Sequence, residues 1–74
     1  MEKKEIIEKL ESLIQKTEAI NKEFEAFANS LQDEYWFNEN KAIEQVSRYI
    51  VESQCVFEDT ITDLTDARMI ANRI

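Results

Sequence analysis

Two stripes of apolar and small residues, each with a seven-residue repeat, constrain the fold of this chain more than any other feature. The sequence contains no glycine and no proline, so neither residue interrupts the repeats. Such repeats are typical of helices that pack along a seam. The first stripe is Ile6, Leu10, Leu13, Thr17, Ile20, Phe24, Phe27 and Leu31, and the second is Ile43, Val46, Ile50, Ser53, Phe57, Thr60, Leu64, Ala67, Ala71 and Ile74.

The two stripes mirror each other about a point near Asn38. Folding the chain back at residues 36–40 pairs residues whose numbers sum to 77, for example Phe24 with Ser53. We therefore predict an all-α fold, an antiparallel hairpin of two long helices at about 2–36 and 39–72. Asn38 is a suitable N-cap for the second helix, and residues 1–74 form a single helical domain.

The segment 58–66 leaves an alternative open. It is rich in β-branched and cap-forming residues, and Thr60 to Asp63 fits a loose variant of the capping box. A break near 59–62 would give a three-helix bundle instead. Because Leu64 and Ala71 keep the phase of the earlier heptads, the pattern favours a continuous second helix.

Apolar residues between Val46 and Phe57 surround most of their helix instead of following one stripe. A helix that is apolar on several sides is buried on several sides, and one partner helix cannot cover it. We therefore predict a homodimer of hairpins, a four-helix bundle, since a two-fold axis lets one patch cover itself. The predicted self-association residues are Val46, Tyr49, Val51, Cys55 and Val56.

The charge of the chain is strongly acidic and unevenly distributed. The net charge is −7, and residues 18–66 hold twelve acidic residues against Lys22, Lys41 and Arg48. In a hairpin this stretch becomes the half nearer the turn. The pattern predicts a protein partner with a basic surface and disfavours direct binding to nucleic acid, which requires Lys and Arg.

Three consecutive aromatic residues, 35–37, lie at the predicted turn among carboxylates. Aromatic anchors in an acidic rim are typical of a surface that recognises a basic partner. The alternative is that they plug the open end of the bundle. The predicted partner-binding tip is Asp33, Glu34, Tyr35, Trp36, Phe37, Glu39 and Glu44.

Composition argues against catalysis. The chain has no histidine and one cysteine, so we predict no catalytic residue, no cofactor and no metal, and a protein that is not an enzyme. One spacing points elsewhere: the carboxylates resemble the Glu-x-x-Glu and Glu-x-x-Asp magnesium ligands of MazG-type nucleotide pyrophosphohydrolases. These residues, Glu5, Glu8, Glu11, Asp59, Asp63 and Asp66, lie mostly away from the predicted seam.

Three functions follow from these patterns. The first is a small acidic protein that binds other proteins. Small acidic all-helical chains of this kind resemble the inhibitors and nucleic-acid mimics that phages and plasmids encode against host defence, and the resemblance implies such an activity. The second is a homodimeric assembly or adaptor module working through its helical faces, and the third is the magnesium-dependent hydrolase. No apolar run reaches membrane-spanning length, and the first residues lack the apolar segment of a signal peptide, so we predict a cytoplasmic protein without membrane contact.

Overall fold

The structure, a computed structural model, describes the backbone of residues 1–74 and every side chain except those of Tyr35, Phe37 and Asn38. Helix α1 spans Lys3–Asn38 and helix α2 spans Lys41–Ala71. The two helices pack against each other as a hairpin, which confirms the predicted fold. The resulting rod measures 54 × 14 × 14 Å, the length that 36 residues rising about 1.5 Å each produce.

The turn consists of two residues, Glu39 and Asn40. Glu39 has a φ of 48°, in the left-handed region that glycine usually occupies after a helix. Asn40 is the N-cap of α2: its Oδ1 accepts from the Ala42 backbone N–H at 2.9 Å. The prediction of Asn38 as this N-cap is wrong, because α1 continues through Asn38.

Helix α2 is continuous through the segment 58–66, so the alternative break near 59–62 is wrong. The hydroxyls of Thr60, Thr62 and Thr65 each donate to the carbonyl oxygen four residues earlier, at 2.9, 3.1 and 2.8 Å. Their Oγ1 atoms thus bond to the helix backbone instead of capping a new helix. The segment remains helical because Ile61 and Leu64 pack in the seam, and tertiary packing supplies most of the stability of a helix in a protein.

About half of the predicted seam residues lie in the observed seam, and at the other positions the seam residue is the next one along the chain. Leu13, Ile20, Phe27 and Val46, all predicted seam residues, are between 41% and 49% exposed. Their neighbours Ile14, Asn21, Ala28 and Ser47 take the seam positions, because a seven-residue repeat leaves open which of two adjacent positions faces the other helix. The seam consists of Ile7, Leu10, Ile14, Thr17, Asn21, Phe24, Ala28 and Leu31 on α1, and of Ile43, Ser47, Ile50, Gln54, Phe57, Ile61, Leu64, Arg68 and Ala71 on α2.

The register of the hairpin also differs from the prediction. The rings of Phe24 and Phe57 contact each other, with centroids 4.9 Å apart. These residue numbers sum to 81, whereas the predicted register sums to 77 and pairs Phe24 with Ser53. Because α1 extends to Asn38 and the turn follows it, the partner of Phe24 lies about one helical turn further along α2.

The core of the hairpin is thin. Among the described residues, Ile14, Ala28 and Ala71 are the buried apolar ones, at 7%, 6% and 4% exposure, and no side chain is below 2%. Two helices in contact cover one stripe of each other and leave the remaining sides open. The surfaces beside the seam are therefore exposed in a single hairpin.

Candidate protein-binding site

The turn end of the rod presents an exposed tryptophan among carboxylates. The side chain of Trp36 is 81% exposed, so Trp36 does not plug the end of the hairpin. The side chains of Tyr35 and Phe37 lie outside the described ones. We call the exposed residues here the tip; they are Asp33, Glu34, Trp36 and Glu39.

A groove of about 470 Å³ lies beside the tip, between the end of α1 and the start of α2. Its lining combines apolar side chains, Leu31 and Val51, with carboxylates of Glu44 and Glu52. The sequence analysis missed this groove because it placed Val46 in the seam. Ser47 takes that position, and its small side chain leaves space between the helices.

The cation in the lining of the groove is paired. The Nη2 of Arg48 donates to Oε1 of Glu44 at 2.9 Å, across one turn of α2. Such a partly exposed pair stabilises the helix by only a few tenths of a kcal/mol. Its larger effect is on the potential: Arg48 and Glu44 cancel each other, and Glu52 leaves the lining with a net negative charge.

The positions beside the seam divide the rod into two unlike faces. With Ile14 and Ser47 at heptad position a, the g positions of both helices lie on one side and the e positions on the other. The groove supports this division, because it brings together the e residues Gln32 and Val51. The apolar face consists of Leu13, Ile20, Phe27, Val46, Ser53, Thr60 and Ala67; the acidic face consists of Glu11, Glu18, Glu25, Gln32, Glu44, Val51 and Glu58.

This division separates the predicted self-association residues. Val46 lies on the apolar face, and Tyr49 and Val56 lie next to it at the outer positions of α2. Val51 lies on the acidic face with Cys55 beside it, where the cysteine is an exposed free thiol. The five residues therefore lie on two different faces of the rod. The residues of α1 that share a face with Val46 are Leu13, Ile20 and Phe27, which the sequence pattern placed in the seam.

One polar atom lies inside the seam without a partner. The Oδ1 of Asn21 is buried, and no described group lies within hydrogen-bonding distance of it. A buried amide oxygen without a donor destabilises a fold by about 1 to 3 kcal/mol. Polar residues at seam positions specify the register of helix pairs and lower their stability. The predicted seam did not include Asn21, so the sequence pattern did not indicate this role.

The carboxylates of the MazG-type resemblance do not share a cavity. All six are exposed. Within the described part of the chain, no group of three His, Cys, Asp or Glu side chains could hold a metal ion. Magnesium sites of that type need carboxylates that converge on one cavity, which this arrangement does not provide.

Neither described helix combines the length and apolar character that crossing a membrane requires. Comparison of the chain with protein-family models, curated proteins and solved structures finds no match. The tip, the groove and the two faces are the features of the molecule that indicate a function.

Proposed function

We propose that this chain is a non-enzymatic protein that acts by binding another protein, and that the tip contacts a basic surface of that partner. The observation that carries the proposal is the exposure of Trp36, at 81%, between the exposed carboxylates of Asp33 and Glu39. Tryptophan is the residue type most enriched among the side chains that dominate binding energy at interfaces. Exposed acids around it favour a partner rich in Lys and Arg.

The groove adds a second contact on the same end of the rod. Leu31 and Val51 offer apolar surface there, and Glu52 offers a carboxylate that no described cation pairs with. A lysine or arginine side chain has both an apolar stem and a charged end. The groove thus suits the long basic side chains that a partner of this kind would insert.

The distribution of charge supports an inhibitor or nucleic-acid mimic. Residues 18–66 carry a balance of −9, from twelve acidic and three basic groups, and they form about two thirds of the chain, including the tip. A rigid rod with this charge competes with a polyanion for a basic cleft. The same charge repels phosphate backbones, so in this proposal the partner is a protein and not a nucleic acid.

The proposal excludes catalysis and places the protein in the cytoplasm. Its support is chemical: the chain has no histidine to activate a nucleophile. Cys55 is an exposed, unpaired thiol, and such thiols persist in reducing compartments. No cofactor is required for binding of this kind.

Capture of partners from an extract of the source cell, at low and high salt, tests the proposal. Trp36→Ala should reduce capture at least about tenfold, which corresponds to about 1.4 kcal/mol, while its melting curve stays unchanged. The matched control is Met69→Ala, an exposed apolar residue at the opposite end of the rod. Equal capture by Trp36→Ala and wild type would rule the tip out.

A second pair of variants separates charge at the tip from total charge. Asp33→Asn with Glu39→Gln removes two charges from the tip, and Glu2→Gln with Glu5→Gln removes two from the other end. We expect the tip pair to weaken capture much more than the terminal pair. High salt should weaken capture by the wild type. Capture that does not change with salt concentration, or an equal loss of capture in the two pairs of variants, would contradict an electrostatic contact at the tip.

A further inference from the structure

We propose that the apolar face binds the same face of a second copy of this chain, with a two-fold axis parallel to the rod. Large side chains of α1 then pack against small side chains of α2 from the other copy. This inference goes beyond the contact between the tip and a basic partner, and does not depend on it. Four observations support it: shape, hydrogen bonding, area and charge.

The shape of the apolar face is complementary to itself. Large side chains, Leu13, Ile20 and Phe27, form a ridge along α1 at seven-residue spacing. In the register that the contact between Phe24 and Phe57 indicates, each of these large residues lies at nearly the same height along the rod as a small residue of α2. These level pairs are Leu13 with Ala67, Ile20 with Thr60, and Phe27 with Ser53.

A two-fold axis parallel to the rod places α1 of one copy over α2 of the other. The ridge on α1 of each copy then packs against the small side chains on α2 of the other copy. The two-fold axis repeats this contact, so the interface is isologous. A two-fold axis across the rod would place ridge against ridge and leave the small residues facing each other. Packing at the density of protein interiors favours the first arrangement.

The hydroxyl groups on the apolar face are already satisfied. The Oγ of Ser53 donates to the carbonyl oxygen of Tyr49 at 3.0 Å, and the Oγ1 of Thr60 donates to that of Val56 at 2.9 Å. Covering these residues therefore leaves no unpaired donor, which would otherwise oppose burial. The small residues of α2 behave as an apolar surface toward a second copy.

One hairpin exposes more surface than a compact monomer of its mass, and a dimer would cover much of the excess. The chain exposes 5876 Å², whereas a compact monomer of 8.8 kDa exposes about 4,800 Å². The excess is about 1,100 Å². One lateral side of the 54 × 14 Å rod covers about 750 Å², close to the roughly 800 Å² per partner of standard interfaces.

Charge selects the apolar face over the acidic one. The acidic face presents Glu11, Glu18 and Glu25 on α1 and Glu58 on α2, so two copies meeting there would repel each other. The apolar face carries no charge at its g positions over residues 13–27 and 46–67. A second copy therefore has one favourable side on which to bind.

The molecular mass in solution, measured by light scattering over a range of protein concentrations, tests the proposal. The wild type should have twice the monomer mass of 8.8 kDa, and Ile20→Lys should halve this value. The matched control is Val51→Lys on the acidic face, since Ile20 and Val51 are 41% and 45% exposed. A monomeric wild type, or dissociation by Val51→Lys but not by Ile20→Lys, overturns the proposal.

A cross-linking experiment tests the same face without a destabilising charge. In a Cys55→Ser background, Ile20→Cys and Thr60→Cys are purified separately, mixed and oxidised. Disulfides should form mainly between the two variants, because residue 20 faces residue 60 of the other copy. Disulfides mainly between two Ile20→Cys chains would overturn the parallel axis, and no disulfide at all would overturn the face. Trp36→Ala should leave the mass unchanged, which separates this proposal from the tip contact.

Discussion

The ring of Phe24 meets the ring of Phe57 edge to face, with centroids 4.9 Å apart and ring planes at 78°. This contact joins the middle of α1 to the middle of α2. Both residues are half-buried seam residues. Because a ring pair of this geometry has a preferred orientation, the contact favours this register of the two helices along the rod.

The coupling between Phe24 and Phe57 can be measured by a double-mutant cycle. Replacing each phenylalanine by leucine, alone and together, should give a coupling energy of about 0.5 to 1.5 kcal/mol in urea unfolding at one protein concentration. The alternative register would couple Ile20 with Phe57 instead. A larger coupling in the cycle of Ile20→Ala with Phe57→Leu would contradict the observed register.

Asn21→Leu should stabilise the hairpin by about 1 to 2 kcal/mol. The substitution removes the buried Oδ1 that lacks a described partner and adds apolar surface to the seam. The melting temperature should rise by about 4 to 8 °C per kcal/mol for a chain of this size. The control is Asn29→Leu, an exposed site on the same helix, which corrects for helix propensity. A decrease in stability on Asn21→Leu, relative to Asn29→Leu, would show that Asn21 has a partner in solution.

Asn40→Ala should destabilise the protein by about 1 kcal/mol, because it removes the side-chain acceptor of the Ala42 N–H at 2.9 Å. Asn40→Asp keeps an acceptor oxygen and should restore most of the stability. Urea unfolding monitored by circular dichroism measures both. Equal midpoints for the alanine variant and the wild type would mean that this cap contributes nothing.

Glu39 occupies the left-handed region with a φ of 48°, which is unfavourable for a residue with a Cβ by about 1 to 2 kcal/mol. Glu39→Gly should therefore stabilise the fold by about 0.5 to 1 kcal/mol, after the greater flexibility of unfolded glycine is subtracted. Glu39→Val should destabilise it, since β-branched residues tolerate this region least. If the glycine variant is less stable than the valine variant in thermal unfolding, the turn has another conformation in solution.

Part of the candidate site was predictable from the sequence. An aromatic residue between acids at the only suitable turn locates Trp36 at the end of the rod, but its exposure depends on how α1 ends. The groove was not predictable, because it arises from Ser47 facing the end of α1. The apolar face was misassigned: Leu13 and Ile14 are adjacent apolar residues, and a heptad pattern fits either one equally well.

Two long helices folded back on each other are predictable from the amino-acid sequence alone. The absence of glycine and proline, together with two heptad repeats, leaves few other ways to bury the apolar residues. The rotation and register of the helices are not predictable in this way: their packing excludes Leu13 from the seam and joins Phe24 to Phe57. Each helix specifies its own periodicity, whereas the space beside each residue depends on the side chains of the other helix and on the length of the turn between them.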